Sequence, residues 1–269
     1  ATANHTFSYV NPVLVKISPI RGPKSGGTLV TIIGNYMNAG NNRTVLIGNH
    51  NCEVKRFNST VLTCVTSMAS DTTVEKLDVH FDNQMVTNNI TYKYTTDPTI
   101  INIDPKEAIC SGGIKIDVTG TQMDTIQEPK MVLSCGETKI ELKCNAENAT
   151  LIRCLSPQVK SLNSNGSTNS TMKELCSYGF ILDNVQDVLN LTKKDKDTFG
   201  TFSIVPDPIF QPLTSNVDNT YMYVPDTYLI INATSLSGVS ARDVTVSIGE
   251  GLCSEIAVAK SQVTCKTTK

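Results

Sequence analysis

The chain aligns with itself at a shift of 86 residues, and no other feature constrains its fold as strongly. At that shift Pro12 falls on Pro98, Ile17 on Ile103, Pro19 on Pro105, Ser25-Gly26-Gly27 on Ser111-Gly112-Gly113 and Gly34 on Gly120. One ungapped register over this many positions means a duplicated folding unit, each copy burying its own core. A third copy starts at Asp207-Pro208-Ile209-Phe210 and has no Ser-Gly-Gly. The expected division is residues 1–11 as the last strand of a preceding copy, 12–96 and 97–206 as two full copies, and 207–269 as a partial third. Only Thr95-Thr96-Asp97 and Val205-Pro206-Asp207 lie between copies. Links this short, with Pro next in sequence, restrict the hinge and favour an elongated rod.

Within a copy the apolar residues alternate. Leu77, Val79 and Phe81 share one face of their run, as do Ile90, Tyr92 and Tyr94, and Ile114, Ile116 and Val118. Period two is the signature of half-buried strands. Turn residues such as Arg21-Gly22-Pro23 and Gly48-Asn49-His50-Asn51 separate the runs, and no run beyond about ten residues has helical periodicity. The expected class is all-β, with two antiparallel sheets face to face and no helical layer. Ser-Gly-Gly precedes a strand, so its glycines serve a tight change of direction rather than a phosphate cradle at a helix N-terminus.

Three of the cysteine pairings follow from spacing. Cys52/Cys64, Cys144/Cys154 and Cys253/Cys265 each bracket a polar turn and a short apolar run, as two bridged antiparallel strands would. Such a bridge is worth about 2–3 kcal/mol. If Cys135 and Cys176 fall on neighbouring strands they could close a further bridge, leaving Cys110 over or paired outside this segment. No C-x-x-C occurs and the three histidines have no ligand-spaced neighbours, so neither a metal nor another cofactor is expected.

The N-terminus lacks the basic and apolar regions of a signal peptide, so the chain is either cytosolic or a piece of a secreted or membrane-anchored protein. Asn-x-Ser/Thr triplets decide between these. The 23 asparagines would give about five by chance, yet nine begin at Asn4, Asn42, Asn58, Asn89, Asn148, Asn165, Asn169, Asn190 and Asn232. The excess points outside the cell, and Ser161–Thr171, with two of the triplets, reads as a mobile glycan-bearing loop. Lys+Arg (23) nearly cancels Asp+Glu (25), which leaves no field to grip nucleic acid. No apolar run is long enough to cross a bilayer, so this segment does not insert in one.

Enzymatic function has little support. Asp187, Asp195 and Asp197 form no pair in an apolar setting, and no Gly-x-Ser-x-Gly elbow or calcium-loop pattern occurs. His80 points away from the apolar face of its strand, toward solvent.

Pro12–Thr28, with its Ile17-Ser18-Pro19 and Ser25-Gly26-Gly27, followed by Gly34-Asn35-Tyr36-Met37-Asn38 and Ile47-Gly48…Cys52…Cys64, resembles an immunoglobulin-like IPT/TIG domain. The similarity extends over essentially the whole chain as tandem β-sandwiches. Two stretches resemble plexins in particular: Asp97–Ile100 with Met123–Pro129, and Tyr178–Val185 running on to Asp207–Phe210. Gly34–Gly48 is nearly as similar to MET/RON receptors, whose stalk domains help bind a growth factor. The plexin resemblance implies the extracellular stalk of a single-pass semaphorin receptor. Semaphorin would bind through receptor domains outside this chain, the stalk would space and orient them, and contacts between receptors are possible.

Overall fold

The computed structural model describes residues 9–86, 88–159, 173–213, 224, 226–234 and 236–267. The first unit contains β1 (Val13–Ser18), β2 (Arg21–Pro23), β3 (Leu29–Asn35), β4 (Arg43–Ile47), β5 (His50–Phe57), β6 (Val61–Thr66), β7 (Val74–Phe81), β8 (Gln84–Val86) and β9 (Thr91–Thr95). The second contains β10 (Thr99–Asp104), β11 (Glu107–Ile109), β12 (Lys115–Thr121), β13 (Lys130–Cys135), β14 (Thr138–Asn148), β15 (Leu151–Leu155), β16 (Glu174–Ile181) and β17 (Phe202–Val205). The third contains β18 (Tyr228–Asn232), β19 (Ser247–Ile248), β20 (Gly251–Leu252), β21 (Ser254–Val258) and β22 (Gln262–Lys266).

The strand order of the first unit, β1-β3-β6-β5-β4-β7-β9-β2, is repeated by the second as β10-β12-β15-β14-β13-β16-β17-β11. Both are sandwiches in which one chain segment serves two layers. β1 pairs antiparallel with β3; after the cis Ser18–Pro19 bond, β2 pairs parallel with β9 in the opposite layer. β10, the cis Asp104–Pro105 bond and β11 do the same. β14 changes layers along its length: Thr138–Lys143 pair with β13, and Cys144–Asn148 with β15. The repeat reaches even irregularities, since the register shifts at Val15 and again at Ile101. Gly34 and Gly120 sit at these shifts, where a Cβ would come 2.2 Å from the Val13 carbonyl oxygen and 1.9 Å from that of Thr99. No other residue fits there.

Alternation fills the two cores. Val30, Ile32, Ile47, Leu62, Leu77, Val79, Tyr92 and Tyr94 are buried in the first, and Ile116, Val118, Met131, Leu133, Ile152, Phe180, Phe202 and Ile204 in the second. The third unit has a three-stranded sheet, β18-β22-β21, beside the β19-β20 ladder, and a small core of Ala233, Leu236 and Val263. Among the described residues helix is confined to short turns, including Leu191–Lys194 and Lys196–Phe199 between β16 and β17. They form no layer. Of the expected N-terminal strand, residues 1–8 lie outside the described residues and Tyr9–Asn11 are not in a strand.

The structure joins Cys52–Cys64, Cys135–Cys176, Cys144–Cys154 and Cys253–Cys265. Cys144 and Cys154 are direct partners on β14 and β15. Cys135 ends β13 and Cys176 is the third residue of the neighbouring β16, the pairing running through Ser134 opposite Ser177. Their bridge closes a 41-residue separation, for which loop entropy predicts about 4 kcal/mol, against about 3 for the shorter ones. Cys110 is a buried free thiol donating to the Val205 carbonyl at 3.1 Å.

Candidate functional site: the joints between sandwiches

The repeated Ser-Gly-Gly loops sit where one sandwich meets the next. The Ser25 amide donates to Asp97 Oδ1 at 2.9 Å and its hydroxyl to Oδ2 at 2.7 Å. The Ser111 amide and hydroxyl hold Asp207 the same way, at 2.8 and 2.5 Å. In both places the aspartate precedes the proline that opens the next unit. Each link is therefore clipped to the body of the unit it leaves, by two bonds to a charged acceptor, the stronger kind of hydrogen bond. The Lys24 amide adds a bond to the Thr95 carbonyl at 2.8 Å, and the Thr95 hydroxyl one to the Gly22 carbonyl at 3.0 Å.

Direct contact between sandwiches comes from turns of the following unit. At the first joint, Thr28 Oγ1 donates to Asp183 Oδ2 at 2.6 Å, and the Asn184 amide donates to the Gly26 carbonyl at 3.2 Å. A Cβ on Gly27 would stand 2.6 Å from that amide nitrogen, at a backbone φ of +87°. Position 27 is glycine because the neighbouring unit occupies the space a side chain would need, and because φ is positive. Arg21 Nη2 reaches Asp124 Oδ2 at 2.6 Å, the aspartate lying on the single 3-10 turn after β12. Beside these bonds lies a cleft of about 380 Å³ between Pro98, Ile100, Val185, Leu191 and Phe199.

At the second joint the contact comes from the turn Ala241–Asp243 after β18. Arg242 now brings the cation: Nη1 meets Asp117 and Nη2 donates to the Lys115 carbonyl at 2.6 Å. Asp243 Oδ1 accepts the Lys115 amide at 3.1 Å, while its Oδ2 accepts the Ser240 amide at 3.1 Å and hydroxyl at 2.5 Å. Val239 packs against the core of the second sandwich, so this joint is partly apolar.

The two joints differ electrically. Burial raises the Asp117 carboxyl, but hydrogen bonds from the Arg153 and Arg242 guanidiniums outweigh it and hold the group below the usual carboxylate range. At Asp183 burial prevails over the Thr28 bond and, with Glu128 nearby, pushes the carboxyl up to about 6. A carboxylate uncompensated by a cation in a desolvated contact behaves this way.

Among the described residues no group of three or more His, Cys, Asp or Glu could hold a metal. Asp187 pairs with Lys194 at 3.2 Å, and Asp195 accepts the Thr198 amide at 3.0 Å. His80 is half-buried on β7, opposite Thr44. Asn42, Asn58, Asn89, Asn148 and Asn232 are exposed, and Asn190 lies just ahead of Leu191–Lys194. Asn4, Asn165 and Asn169 lie outside the described residues, as does Ser161–Thr171. Asp97, Asp207, Asp183 and Arg242 were not singled out from sequence. The signal for Asp97 and Asp207 was the Asp-Pro at the head of the second and third copies, one copy after each Ser-Gly-Gly.

Residues 12–94 match the model of the IPT/TIG domain. Human Plexin-A2 is 31% identical over 273 aligned residues, and mouse Plexin-A4 is 30% identical over 272. The alignments cover 98% and 99% of this chain but 14% of each relative, so the chain spans about a seventh of their length. The solved full extracellular region of plexin A4 superposes with a TM-score of 0.69 at 30% identity, over 98% of this chain and 21% of that one. Nothing in these likenesses calls for the MET/RON alternative. A repeated IPT/TIG sandwich, joined end to end and homologous along nearly its whole length to plexin A ectodomains, makes this chain a segment of a plexin-type extracellular region.

Proposed function

We propose that the chain is a mechanical spacer without catalytic activity, divided at 12–96, 97–206 and 207–269, which sets the direction of receptor domains outside it. The observation that carries this reading is the paired clip, Ser25–Asp97 and Ser111–Asp207, recurring at both joints. A spacer transmits orientation only if its joints do not absorb it, and four hydrogen bonds are placed where absorption would occur. Semaphorin binding and contacts between receptors belong to the parent protein and are proposed for it. The exposed sequons are proposed to carry glycans, which would keep the flanks of the spacer solvated.

Small-angle scattering on the whole chain tests the reading. A compact globule of this length would have a radius of gyration of about 18 Å. The proposal expects a clearly larger value, with a distance distribution extended on the long side. A value near the globular one sinks it. Immobilised chain is expected to show no binding of a semaphorin.

A further inference from the structure

We propose that mild acidification tightens the joint between the first and second sandwiches, through uptake of a proton by Asp183 where it crosses onto Thr28. The inference rests on the reading of the chain as a spacer.

The geometry sets Asp183 apart from the other acidic groups of the joints. Asp97, Asp207 and Asp243 each accept a backbone amide, and Asp117 and Asp124 each meet an arginine. Among the described residues Asp183 accepts only the Thr28 hydroxyl, from the opposite sandwich. Its backbone is left-handed, φ 50°, in the turn that also seats Asn184 against Gly26 and Gly27. The acidic turn after β7 gives a comparison within the same chain. Asp82, also left-handed at φ 52°, accepts the Asn41 and Asn42 amides of its own sandwich. Those bonds hold its carboxyl below the usual range. The turn after β16 has turned its carboxylate outward, into the neighbouring sandwich.

Among the described residues the groups facing Asp183 supply no positive charge. From the first sandwich come Thr28 and the Tyr92 phenol. The buried Tyr92 hydroxyl has no hydrogen-bond partner among the described residues. Gly22 leaves it room: a Cβ there would fall 2.1 Å from Tyr92 Oη and 2.3 Å from Thr28 Oγ1. From the second sandwich comes Glu128, whose charge opposes ionisation of Asp183. Arg21 and Asp124, across the same joint, satisfy each other. Asp187 is paired with Lys194.

The sign follows from proton linkage. Opening the joint returns Asp183 to water and an ordinary carboxylate value; closing it raises the value to about 6. The closed form thus binds a proton more tightly, and closure gains as pH falls through 6, fully so below the ordinary value. Between pH 7.5 and 5.5 the ratio of closed to open joints rises about fourfold. At the second joint Asp117 has the opposite sense, its contribution fading only in strong acid.

The test is a pH series on the whole chain with fluorophores at Asp71 and Lys139, both exposed, one on each sandwich. The expected result is a transfer-efficiency distribution that narrows between pH 7.5 and 5.5. Asp183→Asn, which keeps an acceptor and tolerates the left-handed turn, should be narrow at both pH values. An unchanged wild-type width overturns the proposal, as does a pH response that survives in Asp183→Asn. Scattering on the same samples separates the two readings. An extended chain with an invariant joint defeats only the proton switch, whereas a compact chain at both pH values defeats the spacer.

Discussion

Replacing Asp97 with alanine should loosen the first joint without unfolding either sandwich. Two bonds are lost, from the Ser25 amide at 2.9 Å and hydroxyl at 2.7 Å, and the amide is left without an acceptor. Hydrogen bonds to a charged group contribute about 1.5–3 kcal/mol each when buried. The site is part-buried, so about 2 kcal/mol for the pair is the sensible figure. That corresponds to a roughly 30-fold rise in open joints. Spin labels on exposed positions of the two sandwiches read this directly as a broadened distance distribution. A cycle with Ser25→Ala isolates the contact: the double variant should be little worse than Asp97→Ala alone. Additive losses, or a distribution as narrow as wild type in Asp97→Ala, would show that the clip does not hold the joint. Calorimetry on the same variants should find the unfolding of both sandwiches nearly unmoved, because Asp97 lies outside both cores.

Arg242→Ala should free the second joint by about 1–2 kcal/mol, seen as broadening between labels on the second and third units with the first joint unaffected. Removing both Cys135 and Cys176 as serines should cost the second sandwich about 4 kcal/mol, a drop of about 15–30 °C in its calorimetric transition and none in the first. Peptide mapping without reduction should return the four bridges and one free thiol, with Cys110 unreactive to alkylation until the chain is denatured. Burial pushes that thiol up, so little thiolate is available at neutral pH.

Much of the sandwich could be read from the residues themselves, because alternation and turn chemistry are local. Leu77, Val79 and Phe81 face inward as their spacing requires. The 86-residue register carries over to Gly34 and Gly120, whose steric role is the same in both copies. The joints were hidden for the opposite reason. Asp183 meets Thr28 across 155 positions and Arg242 meets Asp117 across 125, and no local periodicity encodes such a meeting. Segments that carry the plexin resemblance, Asp97–Ile100, Met123–Pro129 and Tyr178–Val185, nonetheless turn out to supply Asp97, Asp124, Asp183 and Asn184 to the first joint. Short polar residues there answer to the adjoining sandwich rather than to their own.

The different charge partners at the two joints make the serial order of the modules part of the code. In the repeat register Arg21 is replaced by Glu107, and Asp117 stands on the same sandwich. At that place the first module offers a cation, and the second a carboxylate paired with its own Lys173. Inserting another copy of the second module after itself would bring an Asp124 to an end already holding Glu107 and Asp117. Following the first module directly with the third would set Arg242 against Thr31, which holds the place of Asp117 in the repeat register, and leave the guanidinium without its carboxylate. Like charges at a close contact are penalised. Gene duplication can lengthen such an array cheaply, but each new bead needs its polarity revised before it will seat.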